Sequence, residues 1–195
     1  MKMPGALLIK SMIKKSFYFV RHGETDWNSQ NRCMGQLDIP LNDNGKNQAI
    51  KLKSKISQIT FDKIFYSPLL RARETAEIIF KDKEIFKQEV DNLKEWHFGN
   101  WQNKRWDSLN IENIDQIYPP NGETKELFFR RTLNGINSCL ENSNSSLIIA
   151  HSGTFWAICY YAKIENFNIK NCDLIQFIAP NNYNDNWKFE ITLKS

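Results

Sequence analysis

Short apolar runs and stretches of helical periodicity alternate along the chain. Ser16-Phe17-Tyr18-Phe19-Val20-Arg21 is short, aromatic and β-branched, which predicts a strand buried on both faces, and it stops at His22-Gly23. A polar loop is expected next. Ala49, Leu52, Ile56 and Ile59 then recur at helical spacing, with Lys46, Lys51, Lys53 and Lys55 on other faces, so the pattern predicts a helix over 42–59. Lys63-Ile64-Phe65-Tyr66-Ser67 reads as a second strand, and Pro68 opens a helix whose apolar face is Ala72, Thr75, Ala76, Ile79 and Phe80. A third strand is expected near 85–90, and a weaker helical region over 104–118, closed by Pro119-Pro120. Thr124 is the expected N-cap of a helix reaching Glu141. Leu147-Ile148-Ile149-Ala150 is a strand ending at His151-Ser152-Gly153, before a helix over 154–161. Trp187, Phe189, Ile191 and Leu193 alternate with polar residues, as in a half-buried edge strand.

Strands alternating with helices predict an α/β fold with a largely parallel sheet covered on both faces. Ligands of such sheets sit beyond the C-terminal strand ends, and two of the three histidines, His22 and His151, stand at two such ends. Nothing repeats at a period of 20–50 residues, and the Asn-rich patches at 141–145 and 181–186 read as solvated turns.

With 195 residues, 41% hydrophobic and 25% charged, the chain has the composition of one globular domain rather than of a disordered or fibrous protein. The net charge of +4 suggests an anionic partner until it is located: Lys2, Lys10, Lys14 and Lys15 account for all of it, leaving residues 16–195 neutral. No basic stripe for nucleic acid is indicated. Ala6-Leu7-Leu8-Ile9 is interrupted by lysines well short of a signal peptide or membrane span. Residues 1–15 are therefore expected to be a frayed basic leader rather than a membrane-surface helix presenting Leu8, Ile9, Met12 and Ile13, and Met12 is a second candidate start. Cys33, Cys139, Cys159 and Cys172 form no Cys-x-x-Cys pair, so free thiols and a reducing, cytoplasmic setting are expected. No His, Cys and carboxylate run has metal-ligand spacing.

Arginine joins the histidines. Arg21 precedes His22, and Arg71 lies at the start of the second helix, in Ser67-Pro68-Leu69-Leu70-Arg71-Ala72-Arg73-Glu74-Thr75-Ala76. Planar, permanently charged guanidinium forks suit phosphate oxygens, helix N-termini add backbone donors, and a neutral imidazole beside such a site can attack phosphorus. Gly23 is expected to let the backbone pass close to the phosphate.

At these residues the sequence resembles the histidine phosphatase superfamily, also called phosphoglycerate mutase-like. The resemblance rests on Arg21-His22-Gly23-Glu24-Thr25, Gly35-Gln36-Leu37-Asp38-Ile39-Pro40-Leu41, the Ser67-Pro68-Leu69 to Thr75-Ala76 block, Leu93-Lys94-Glu95 to Phe98-Gly99, Pro120-Asn121-Gly122-Glu123-Thr124 and Ala150-His151-Ser152-Gly153. It implies a three-layer αβα domain over 16–195 around a mostly parallel mixed sheet. It also implies His22 as nucleophile, Arg21, Arg71 and His151 as phosphoryl ligands, Asn28 in support, Glu95 as proton donor, and no metal or organic cofactor. The implied activity is hydrolysis of a small phosphorylated metabolite; a phosphoglycerate mutase and a non-catalytic phosphate- or phosphopeptide-binding module are the rivals. Only about twenty residues separate Gly99 from Pro119, where the mutases carry a long insertion, which favours a phosphatase of the α-ribazole phosphatase type.

Bland readings stand beside these. Ser152 replaces a glycine common in the family, and its hydroxyl is either an added phosphate donor or idle. His97 is expected at the surface or in the lining, and Arg73, Glu74, Arg130 and Arg131 on solvated helix faces, with one of the last two arginines able to reach a distal anion. Trp27, Trp96, Trp101 and Trp106 are either core or an apolar rim.

Overall fold

The computed structural model describes residues 11–109, 111, 118–141, 143–182 and 185–193. Two apolar runs form its centre. β1 (Phe17–Arg21) and β4 (Ser146–Ala150) pair in parallel with Tyr18 opposite Leu147 and Arg21 opposite Ala150. β4 is buried along its whole length, as a central strand of such a sheet must be. β2 (Lys63–Tyr66) lies on its far side and β3 (Phe86–Glu89) at the edge, both parallel, while β5 (Leu174–Ile178) and β6 (Lys188–Leu193) add antiparallel strands beyond β1. The order is β3-β2-β4-β1-β5-β6, a mixed sheet.

Alternate residues of these strands feed opposite layers. Phe17, Phe19, Ile148 and Ala150 join one buried cluster with Leu133, Ile136 and Leu140 of α4 (Lys125–Glu141) and Phe155 and Ile158 of α5 (Ser152–Ala162). Val20, Leu147 and Ile149 join another with Ala49 and Leu52 of α2 (Asp43–Lys55) and Ala72, Ala76 and Ile79 of α3 (Leu70–Phe80). The result is three layers, αβα.

Caps follow the expected chemistry. Asn42 accepts from Gly45 N at 2.8 Å at the start of α2, and Thr124 Oγ1 accepts from Leu127 N at 3.3 Å before α4. The polar loop after β1 contains a short helix, α1 (Asp26–Ser29), closed by a reciprocal box between Thr25 and Asn28. β5 goes unrecognised in the sequence pattern, where Leu174-Ile175-Gln176-Phe177-Ile178 is too short to show a period; it is specified by pairing, with Phe177 opposite Phe17 and their rings stacked at 4.9 Å. The helix expected over 104–118 does not form in its described part. There Arg105 bridges Arg32, Trp106 N donates to Asn31 O at 3.0 Å, and a single 3-10 turn spans Trp106–Ser108, so tertiary contacts override a weak local preference. Residues 110 and 112–117 of that region lie outside the described residues.

The leader's last residues sit on the core. Met12 is buried among Phe17-side residues, and Asn137 of α4 ties the segment down by accepting from Ile13 N at 2.9 Å and donating to Ser11 O at 3.1 Å. The charge boundary at residue 15 thus falls inside packed structure; residues 1–10 lie outside the described set. All four cysteines are buried and unpaired with one another. Among the described residues no helix is long and apolar enough to cross a membrane.

Candidate active site

Because Arg21 pairs with Ala150, the residues that follow, His22 and His151, leave the sheet side by side, and His22 N donates to Ala150 O at 3.0 Å. Their buried rings lie 5.2 Å apart at 58°. Arg71, fully buried in the first turn of α3, joins them: its Nε donates to His22 Nε2 at 3.3 Å, Nη1 to Leu37 O at 3.0 Å and Nη2 to Gly35 O at 2.8 Å. Gly35 has φ +53°, the left-handed region that glycine tolerates, which turns its carbonyl toward the guanidinium loop. Arg21 donates from Nη1 to Ile169 O at 2.7 Å.

Hydrogen bonding assigns the tautomer of His22. Its Nδ1 lies 2.7 Å from Gly23 O, a group that can only accept, so Nδ1 carries the proton and the Nε2 lone pair faces the Arg71 N–H. Burial first, then the Arg71 and Arg21 charges, hold this imidazole well below its usual pKa, so it is neutral at pH 7. Burial also pushes His151 down, with Arg71 and His22 adding to it. His151 Nε2 contacts Ser67 Oγ at 2.8 Å, and Ser67 Oγ accepts from Leu69 N at 3.3 Å. The Arg71 guanidinium is lowered to about 10 by burial, against the support of Glu95 and Asp38, and remains cationic at pH 7. Burial lowers Arg21 too, countered by Glu95 and Asp173.

Among the described residues, three buried side-chain polar atoms have no hydrogen-bond partner: Thr132 Oγ1, Arg21 Nε and His151 Nδ1. The last two belong to this cluster. Buried polar atoms are normally hydrogen-bonded, so two unpartnered ones in a cluster with the His22 Nε2 lone pair and two arginines give an arrangement suited to an anion with several oxygens.

Glu95 enters from an irregular segment. Its Oε1 accepts from Trp96 N at 2.8 Å and its Oε2 from Gly153 N at 3.1 Å, which puts the carboxylate against the N-terminal turn of α5. A Cβ on Gly153 would stand 2.1 Å from Glu95 Oε1, so the absence of a side chain at 153 admits the carboxylate. Gly153, Ser67 and Asn171 have no role in the sequence-based expectation. Asn171 Nδ2 donates to His22 O at 2.8 Å and contacts Asn28 Oδ1 at 3.4 Å. Gly153 and Ser67 lie within the motif blocks, but what they and Asn171 contact comes from distant segments.

Several expectations change. Asn28 Oδ1 accepts from Thr25 N at 3.1 Å, so that oxygen closes the α1 box. The close approach at Gly23 is to a helix: an added Cβ would meet Gly45 O at 2.6 Å, and Gly23 N donates to Thr75 Oγ1 at 3.0 Å. Ser152 is exposed at the start of α5. Glu74 does not sit on a solvated face but holds Leu41 N at 2.8 Å, and Arg131 is engaged on all sides by backbone carbonyls and Glu123. Arg130 is exposed as expected, and Arg73 reaches Glu89 at 3.9 Å on the surface. Trp96 is core, stacked between Phe98 and Phe128, and Trp106 meets Phe98 edge-on at 5.1 Å; Trp27 and Trp101 are half-buried.

This arrangement has known relatives. The chain is 38% identical over 142 residues to the uncharacterized phosphatase PhoE of Bacillus subtilis, covering 71% of this chain and 72% of that one. It is 28% identical to the adenosylcobalamin/alpha-ribazole phosphatase of Salmonella typhimurium, covering 70% and 73%. A 2,3-bisphosphoglycerate-dependent phosphoglycerate mutase of Nautilia profundicola is 35% identical, over 58% of this chain and 48% of the mutase. The crystal structure of TTHB049 from Thermus thermophilus superposes with a TM-score of 0.69 at 27% identity, covering 83% of this chain and 92% of that one. Residues 17–182, which carry both histidines, both arginines and Glu95, match the family model of the histidine phosphatase superfamily (branch 1), and the chain belongs to that family.

Proposed function

We propose that the protein is a phosphomonoesterase that moves the phosphoryl group of a small organic ester to His22 Nε2 and then to water, without metal or organic cofactor. The observation that carries this reading is the lone pair of His22 Nε2, left free because the Gly23 carbonyl holds the proton on Nδ1, facing the Arg71 N–H in a buried cluster that also holds His151, whose Nδ1 is unpartnered. With the Ser67 hydroxyl donating to His151 Nε2, the proton of that ring sits on Nδ1, ready for a phosphoryl oxygen.

In the first step the Nε2 lone pair forms the N–P bond as the ester P–O bond breaks. The Arg71 Nε–H that caps this lone pair is released to a phosphoryl oxygen. Phosphoryl transfer is loose, with charge on the equatorial oxygens, so positioning and charge stabilisation by Arg21, Arg71 and His151 supply most of the catalysis. Glu95, which enters this step as the carboxylic acid, gives its proton to the departing alkoxide and is left as the carboxylate. In the second step Glu95 takes a proton from water, the water oxygen bonds to phosphorus, and the N–P electron pair returns to Nε2. Asn28 supports the site through the Thr25 turn that its Oδ1 closes, the exposed Ser152 hydroxyl is assigned as a donor to the ester, and Gly23 gives the close packing that fixes the turn carrying His22.

Phosphoglycerate mutation is the rival, favoured by the mutases among the relatives. Incubation with 3-phosphoglycerate, and with other phosphate esters including α-ribazole phosphate, decides between them. Steady release of inorganic phosphate from one or more esters, abolished by His22→Ala, is expected; sustained conversion of 3- to 2-phosphoglycerate without phosphate release contradicts the proposal.

A further inference from the structure

Glu95 stands on a segment, residues 91–98, that joins no strand and holds one 3-10 turn, Asp91–Leu93. A carboxylate that must meet a leaving oxygen needs a fixed backbone beneath it, because misplacement by an ångström costs roughly a hundredfold in rate. This segment has no sheet ladder to provide that. Its carbonyls converge instead on Arg131 of α4. Arg131 Nη1 donates to Lys94 O at 2.7 Å and Asn92 O at 3.2 Å, and Nη2 donates to the carbonyl of Glu95 itself at 2.8 Å. The remaining two N–H groups grip Glu123, Nε to Oε1 at 2.5 Å and Nη2 to Oε2 at 2.7 Å. All five guanidinium donors are therefore assigned. Glu123 closes the frame from the other side: Oε2 accepts from His97 N at 2.9 Å, its carbonyl accepts from Trp96 Nε1 at 2.8 Å, and its own N–H donates to His97 O at 2.9 Å.

A surface ion pair holds one charge against another and contributes little. Here the pair is about four-fifths covered, with side chains 20% and 21% exposed, and the guanidinium lies over the Phe128 ring at 4.9 Å. Its hydrogen bonds end on the peptide groups on either side of Glu95. We propose that Arg131, locked by Glu123, is a positioning residue that sets the direction in which Glu95 leaves the backbone, and so holds its carboxylate at Gly153 N–H and at the leaving oxygen. Lysine at 131 keeps the charge but has no planar fork to serve three carbonyls and a carboxylate at once. The inference rests on the reading of Glu95 as proton donor.

The test compares Arg131→Lys, Glu123→Gln and Glu95→Gln on p-nitrophenyl phosphate, whose leaving group needs no proton, and on glycerol phosphate, whose alkoxide does. If Arg131 positions Glu95, all three variants lose kcat/KM, which reports the transfer to His22 and not the later attack of water, by roughly ten- to hundredfold on glycerol phosphate and change far less in kcat/KM on p-nitrophenyl phosphate. A merely structural arginine predicts equal losses on both esters. Should Arg131→Lys fail to fold, as judged by its melting transition, Glu123→Gln carries the comparison, since it loosens the same frame while keeping one acceptor. Leaving-group dependence in Glu95→Gln with equal losses in the other two overturns the positioning role alone. No leaving-group dependence in Glu95→Gln overturns the acid role and the inference with it.

Discussion

At the scale of single residues, the site is a set of one-atom decisions. The Gly23 carbonyl decides which nitrogen of His22 is free, Ser67 holds His151 by its Nε2, and Gly153 decides whether Glu95 reaches the helix terminus. Arg21, His22, Arg71 and His151 are legible as candidates from their types and their places at strand and helix ends, and Glu95 only from the family resemblance. Gly153, Ser67, Asn171 and Arg131 are not, because what they do is satisfy or admit groups contributed by segments far away in sequence, and no local pattern encodes that. Gly153→Ala makes the distinction measurable. The added methyl meets the far end of the Glu95 side chain, which can move aside, and comes within 3.1 Å of Phe128 Cζ, a tight contact that a small shift relieves. The variant is expected to lose little melting temperature while losing roughly tenfold or more in kcat on alkyl phosphates; unchanged kcat with an unchanged fold contradicts the placement of Glu95.

At the scale of elements, the strands that lead into the proposed site are those whose burial is written in the sequence. Phe17–Val20 and Leu147–Ala150 are apolar throughout because both faces of β1 and β4 are covered, and a continuous apolar run needs no period to be recognised. β5 shares much of that composition yet has no local signature, since its place beside β1 is set by an antiparallel pairing between segments far apart in the chain. The region 104–109 has enough apolar spacing to suggest a helix, but its backbone is spent on Asn31 and Arg32, which a local reading cannot foresee. The turn after β1 is defined by contact with α2: at Gly23 an added methyl meets the Gly45 backbone, which cannot move without the helix. Gly23→Ala is therefore expected to cost stability, roughly 2 kcal/mol or more by denaturant titration, in contrast to Gly153→Ala. Equal melting temperatures for the two variants would show that the turn is not fixed in this way.

At the scale of the whole molecule, charge is concentrated rather than abundant. The excess of +4 lies in the first fifteen residues, whereas the proposed anion site is made by two arginines and two neutral histidines inside a neutral body. That burial has a consequence for folding. His22 and His151 have folded pKa values below the unfolded 6.5, so above pH 7 both states are neutral and the pair costs nothing. As pH falls through 6.5 the unfolded chain binds protons that the folded one excludes, and stability drops by up to about 1.4 kcal/mol per pH unit for each histidine. The unfolding free energy at pH 5.5 is expected to lie roughly 2–3 kcal/mol below that at pH 7.5; a flat profile over that window would mean that the histidines are charged or solvated in the folded state. The central claim is the covalent role of His22, and acid-free quenching during turnover of a ³²P-labelled ester tests it most directly. The account predicts a protein-bound label that survives alkali, is released by acid, maps to the peptide containing His22 and is missing from His22→Ala. Turnover with no trapped label, or a label on another residue, would contradict it.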